Sequence, residues 1–146
     1  GPVARRIPLD EDAHRIHAGL HFLPPMEVNL DPYLETDGVY GNYLKTALAA
    51  ELEYLCPAPL DEDMMDELNW LAAAVFRVTG ALDFARIDFR LDKNDNLKPY
   101  ILEINPLPGL MPKLSDIVIE ANADGISHTD LINLILNTAL ARYGMI

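Results

Sequence analysis

The stretch from Phe84 to Gly109, FARIDFRLDKNDNLKPYILEINPLPG, narrows the possible folds more than any other part of the chain. Ala85, Ile87, Phe89 and Leu91 alternate with Phe84, Arg86, Asp88 and Arg90, which is the two-residue period of a strand. Tyr100 to Asn105 alternates too, Leu102 and Ile104 against Ile101, Glu103 and Asn105. Between them, Asp92-Lys93-Asn94-Asp95-Asn96 is turn chemistry, because Asn and Asp tolerate positive φ and bond their own backbone. A β-hairpin is predicted. With Asp95-Asn96 as a two-residue loop, Asn94 faces Leu97, Asp88 stands opposite Glu103, and Arg86 opposite Asn105. Sliding the loop by one residue moves the partners by two and keeps the faces, whereas a bulge could break this parity.

Two carboxylates directly opposite would have Cβ atoms roughly 4.5–5.5 Å apart, and such like charges repel unless something cationic lies between them. Two carboxylates and an amide are hard oxygen donors, suited to Mg²⁺ or Mn²⁺ rather than zinc. The alternative is a solvent-facing sheet face on which Arg86 and Arg90 neutralise Asp88 and Glu103, an ordinary arrangement on antiparallel hairpins. The sequel Asn105-Pro106-Leu107-Pro108-Gly109 stops the second strand just beyond its polar residues, at a sheet end where backbone amides are free.

The remainder of the chain bounds the setting. At 146 residues it is one domain's worth, with half of its residues hydrophobic. Against 23 acidic residues there are 11 basic ones, a net charge of −12, and Arg5-Arg6 is the only basic cluster, which argues against nucleic acid and anionic membranes as partners. A single cysteine, Cys56, cannot form an internal disulfide, and with no membrane-span or signal-peptide pattern a cytoplasmic protein is expected. Lacking an initiator Met and beginning Gly1-Pro2, the chain is expected to be processed or a fragment.

Val3 to Pro8 has the composition of a strand. His14, His17 and His21 are spaced to align on a helix, which tempts a zinc reading, but Gly19 and the strand-like segment after it favour surface histidines. Leu20 to Leu30 reads as a strand interrupted by Pro24-Pro25, hence an edge strand or one with a bulge, and Asn42 to Leu55 as helix-like in its alanines. Asp61 to Thr79 is an amphipathic helix, with Asp61 as its cap and Gly80 closing it. Cys56 reads as a small packed residue, since no histidine lies beside it by any local pattern. A short helix is expected over Asp116 to Ala123, and a last one begins at a capping-box-like Ser127 to Asp130.

RIDF, then LEINPLPG, then Ser115, then GIS and LI in a closing helix, together resemble the C-terminal part of an ATP-grasp ligase of the D-alanine–D-alanine ligase group. The resemblance runs from about Leu20 to Tyr143 and is strongest from Ala81 to Ser115. It implies an α+β fold, an antiparallel sheet packed with helices, forming a single partial ATP-grasp domain. It also implies ATP- and Mg²⁺-dependent joining of a carboxylate to an amine through an acyl phosphate, as in cell-wall biogenesis.

By the same resemblance, Asp88 would bind one metal ion, Glu103 bridge two, and Asn105 complete the second. Arg86 would hold the transferred phosphoryl group and the later oxyanion, with the Gly109 amide as a second donor. Leu102 would line the adenine pocket and Ser115 bind the acceptor carboxylate. Lys45 and Tyr43 lie near a lysine and a tyrosine of the family's mobile loop, in a different register; Lys45 is a candidate substrate contact, with solvated surface as the alternative. Pro106 replaces the family's usual Thr, and Leu110 to Leu114 is one residue longer than usual, so the acceptor stays open.

The family's N-terminal substrate domain and Gly-rich lid have no counterpart in this sequence. A chain of this kind is therefore expected to have little or no activity alone and to need the missing part of the ligase. Its small-molecule partners would be ATP and amino-acid or carboxylate substrates, and an uncovered sheet edge could pair with a second copy. Another ATP-grasp ligase making a peptide-like metabolite, and an inert interaction module, remain alternatives.

Overall fold

The structure is a computed structural model and describes residues 17–29 and 54–146. The expected Val3 to Pro8 strand, His14, Tyr43, Lys45 and most of the alanine-rich segment after Asn42 lie outside the described residues. What is described comprises β1 (Glu27–Val28), β2 (Tyr54–Leu55), α1 (Glu62–Val78), β3 (Arg86–Asp92), β4 (Lys98–Asn105), α2 (Asp116–Ala123) and α3 (His128–Arg142). These segments fall into two compact units, each assembled from separated parts of the chain.

The first unit takes residues 17–22, Leu60–Pro108 and Ile132–Ile146. Its α1 begins where Asp61 accepts a hydrogen bond from the Met64 amide at 2.8 Å, satisfying one of the orphan donors of the first turn. Glu62 and Asp63 complement the helix dipole there, and Arg77 does so in the last turn. Gly80, at φ +70°, turns the chain out of the helix. Leu68 and Ala73 are buried, and α1 packs against β4.

In this unit β3 and β4 form the expected antiparallel hairpin, but its turn differs. Asp92 pairs with Lys98, so residues 93–97 make the connection rather than a two-residue Asp95-Asn96 loop. The Asp92 carboxylate accepts the Asn94 amide at 2.9 Å and starts a 3₁₀ turn over Lys93–Asp95. Asn96 and Leu97 follow with φ of 53° and 59°, and the Leu97 amide closes on the Asp92 carbonyl at 2.8 Å. The longer turn displaces the register by one residue, and a bulge between Asp88 and Phe89 on the β3 side, with Leu102 as the extra residue of β4, restores it. Phe89 therefore faces Ile101, which joins the apolar face with Ile87 and Ile104 instead of sharing the Glu103 face.

The second unit takes residues 23–29, 54–59 and Gly109–Leu131. Here β1 pairs antiparallel with β2, Glu27 opposite Leu55 and Val28 opposite Tyr54, so the helix-like segment ends as a strand. Pro24 and Pro25 precede β1, and the strand is confined to the two residues beyond them. Its core is Ile117, Val118 and Ala121 of α2, with Ala58 and Leu131. The α3 helix opens on Ser127, whose hydroxyl accepts the Asp130 amide at 3.1 Å.

His17 lies in a turn, its ring edge-on to Phe22, so it does not share a helical face with His21. Burial, and secondarily the charge of Glu120, push the Cys56 thiol above its ordinary range, so it is a poor nucleophile. Among the described residues no helix is long and apolar enough to cross a membrane.

Candidate functional site

The hairpin gathers four polar side chains at one end of one face. Asp88 lies directly across the ladder from Glu103, and Arg86 across from Asn105. Alternation along β3 places Arg86 and Asp88 on the same side, and cross-strand partners share a face, so all four project together. Arg86 grips Asp88 with a bidentate ion pair, Nε to Oδ1 at 2.8 Å and Nη2 to Oδ2 at 2.9 Å. The same Nη2 stands 3.9 Å from Glu103 Oε1. Arg86 is the most enclosed of the three, 13% exposed against 29% for Asp88 and 57% for Glu103.

Arg86 thus supplies the positive charge that two opposed carboxylates require. Glu103, at the longer distance and largely open to solvent, keeps most of its coordinating capacity. Asn105 is oriented by its neighbour: its Oδ1 accepts the Leu107 amide at 3.0 Å, an Asx turn at the point where Pro106 ends the strand. Among the described residues no three His, Cys, Asp or Glu side chains converge as a metal set. The face instead offers two carboxylates and one amide oxygen, without sulfur or imidazole. Such a donor set fits a hard divalent cation, Mg²⁺ or Mn²⁺.

Leu102 is the extra residue of the bulge. Having no cross-strand partner, it leaves the alternation that would have set it behind Glu103, and it is 63% exposed. An apolar side chain so open, next to a cluster of charges, is available to a flat apolar ligand.

Gly109 and Ser115 meet in the second unit. A Cβ at Gly109 would stand 2.9 Å from the Ser115 hydroxyl oxygen, so only glycine fits there without displacing it. Ser115 is buried, at 7% exposure, and precedes α2 as its cap residue, yet its side chain does not cap the helix. Its Oγ accepts the Met111 amide at 2.8 Å instead. A hydroxyl that accepts in this way retains a hydrogen to donate.

Two contacts were not legible in the sequence. His128 Nε2 donates to the Leu110 carbonyl at 2.7 Å. Arg142 forms a second bidentate pair, with Asp83 at 2.9 Å through each nitrogen. Both join residues far apart in the chain, and no local spacing announces either one.

Residues 27–137 match the family described as D-ala D-ala ligase C-terminus. The chain is 35% identical over 140 residues to the uncharacterized protein y4sG of Sinorhizobium fredii, covering 90% of this chain and 40% of that protein. To a D-alanine–D-alanine ligase of Herminiimonas arsenicoxydans it is 36% identical over 110 residues, covering 74% of this chain and 32% of the ligase. The crystal structure of D-alanine–D-alanine ligase from Bacillus anthracis aligns with 82% of this chain and 36% of its own, at a TM-score of 0.59 and 24% identity, which is a likeness of fold. This chain spans well under half the length of these relatives.

Proposed function

Because the chain belongs to the D-alanine–D-alanine ligase C-terminal family, with the α+β fold of the ATP-grasp ligases, we propose that it is the C-terminal part of an ATP- and Mg²⁺-dependent carboxylate–amine ligase working through an acyl phosphate. The observation that carries this reading is Asp88 directly opposite Glu103, with Arg86 and Asn105 on the same face. Asp88, Glu103 and Asn105 would hold Mg²⁺ or Mn²⁺, whose charge offsets that of the ATP phosphates.

Arg86 presents a planar, permanently charged guanidinium with five N–H donors. That geometry suits the oxygens of a transferred phosphoryl group and then the oxyanion formed when an amine attacks the acyl phosphate. Its bond to Asp88 fixes the direction of the fork. Leu102 offers apolar surface to the adenine ring. In the second unit the Gly109 amide is proposed as an oxyanion donor, since a glycine lets the backbone approach a ligand closely. Ser115 donates its hydroxyl hydrogen to the carboxylate of an acceptor amino acid. Lys45, outside the described residues, is proposed as a further substrate contact. The first substrate and the phosphate-cradling lid belong to the part of the ligase this chain does not contain, and turnover requires that part.

Titration of the chain with ATP, with and without Mg²⁺, tests this reading. Binding should require the ion and be lost in Glu103→Gln, which keeps the shape and removes the charge. Metal-independent binding, or binding unchanged by the substitution, would count against it. Release of ADP by this chain alone, given amino acids and Mg²⁺, would sink the proposal that it is catalytically incomplete. A second reading, an interaction module that keeps the fold without turnover, is favoured by the self-neutralised Arg86–Asp88 pair. Absence of nucleotide binding to a folded wild-type chain selects it.

A further inference from the structure

The loop from Gly109 to Ser115 is tied to the start of α2 and to the first turn of α3 through one peptide group. The Leu110 carbonyl accepts from His128 Nε2 at 2.7 Å, and the Met111 amide, the other end of that planar unit, donates to Ser115 Oγ at 2.8 Å. A carbonyl only accepts, so Nε2 carries the proton. His128 stands in the first turn of α3, which is capped by Ser127 and anchored by the buried Leu131. Ser115 stands at the start of α2, whose Val118 and Ala121 are fully buried. The Ile126 amide ties the two helices by bonding the Ala121 carbonyl at 2.9 Å. A flat group clamped at both ends by rigid neighbours has one orientation.

We propose that His128 is a positioning residue for the acceptor: by holding the Leu110 carbonyl it fixes the peptide plane whose N–H occupies the Ser115 oxygen, and so aims the Ser115 hydroxyl hydrogen at an amino-acid carboxylate. The acceptor side of this statement rests on the ligase reading above. The clamp itself does not. Without the His128 bond the Leu110–Met111 plane can rotate, the Met111 amide leaves Ser115, and the hydroxyl turns back toward its own helix, whose first-turn amides it does not cap.

The experiment compares this chain with His128→Phe, which keeps a ring and loses the donor, and His128→Gln, whose amide nitrogen restores a donor at similar reach. Two quantities are read by NMR: hydrogen exchange at the Met111 amide, and shifts of the Gly109 and Ser115 amides on adding D-alanine. Exchange at Met111 should quicken about two- to tenfold in His128→Phe, as expected for loss of one hydrogen bond, and return toward wild type in His128→Gln. D-alanine affinity should fall by a similar factor and recover in parallel, with exchange inside α2 and α3 unchanged. Unchanged Met111 exchange in His128→Phe overturns the clamp. Equal acceleration throughout α2 and α3 also overturns it, because His128 then only supports the fold. If D-alanine leaves the wild-type Gly109 and Ser115 amides unmoved while the exchange results hold, the acceptor role fails and the clamp stands.

Discussion

Arg86 binds Asp88 two residues along the same strand, with two parallel hydrogen bonds of 2.8 and 2.9 Å, and the same guanidinium lies 3.9 Å from Glu103. One cation thus serves two carboxylates that face each other across the ladder. Removing it in Arg86→Ala should cost about 1–2 kcal/mol, the worth of a charge-assisted pair reduced for its partial exposure. Thermal unfolding with and without Mg²⁺ checks the cause. If the face takes a divalent ion, Mg²⁺ should raise the melting temperature of the variant more than that of wild type. A variant indifferent to Mg²⁺ would leave the acidic pair as ordinary sheet surface.

Leu102 owes its exposure to the bulge, and it can change without disturbing a core. Leu102→Ser should therefore leave the unfolding midpoint nearly unchanged. If the adenine ring rests on this side chain, ATP affinity should fall about tenfold, the scale of burying a leucine-sized apolar surface. Binding of inorganic triphosphate with Mg²⁺ should be untouched. Equal losses for ATP and triphosphate would show that Leu102 acts on the phosphate site and not on the base.

Alternation fixes which residues share a face, and the pairing of Asp88 with Glu103 and of Arg86 with Asn105 follows from a two-residue turn, yet that turn is not the one the chain takes. The five-residue turn depends on Asp92 capping Asn94 and on Leu97 accepting a left-handed φ, and propensity disfavours the second. The bulge at Leu102 then reverses the displacement, and nothing in the run Tyr100 to Asn105 signals an extra residue. Capping made α1 and the start of α3 legible, because it is local chemistry. Tyr54–Leu55 became a strand against the helical composition before it, since a partner strand in Glu27–Val28 satisfies its backbone. His128 and Arg142 act on residues far away in sequence, where no pattern of spacing reaches.

Gly109 and Ser115 are coupled by contact, and the coupling is measurable. In Gly109→Ala the new Cβ meets the Ser115 oxygen at 2.9 Å and must push it off the Met111 amide. Ser115→Ala removes the same hydrogen bond directly. Each should cost about 1 kcal/mol, the usual net worth of such a bond. Their sum should not be reached in the double variant, because the alanine at position 115 no longer carries the oxygen in the way. Urea unfolding of the four proteins gives the cycle, and strict additivity would refute the contact.

The Asp83–Arg142 pair ties the segment between α1 and β3 to the end of α3, within the first unit, and Arg142 also lies over the Tyr143 ring at 4.3 Å. Hydrogen bonding to Arg142, more than its charge alone, holds the Asp83 carboxyl below its ordinary range, and the guanidinium is raised in turn. An acid whose folded value is depressed adds stability above its unfolded value of about 3.9 and loses it as pH falls through the lower folded value. The contribution should therefore be constant at neutral pH and fade below about pH 4. Asp83→Asn is the informative variant. Asp83 sits at φ 67°, a conformation asparagine also accepts, so the substitution removes the charge and leaves the backbone unstrained. Urea midpoints should be lower for the variant at pH 7 and draw toward wild type as the pH falls below about 4. A gap that persists unchanged into acid would assign the effect to shape and not to the ion pair.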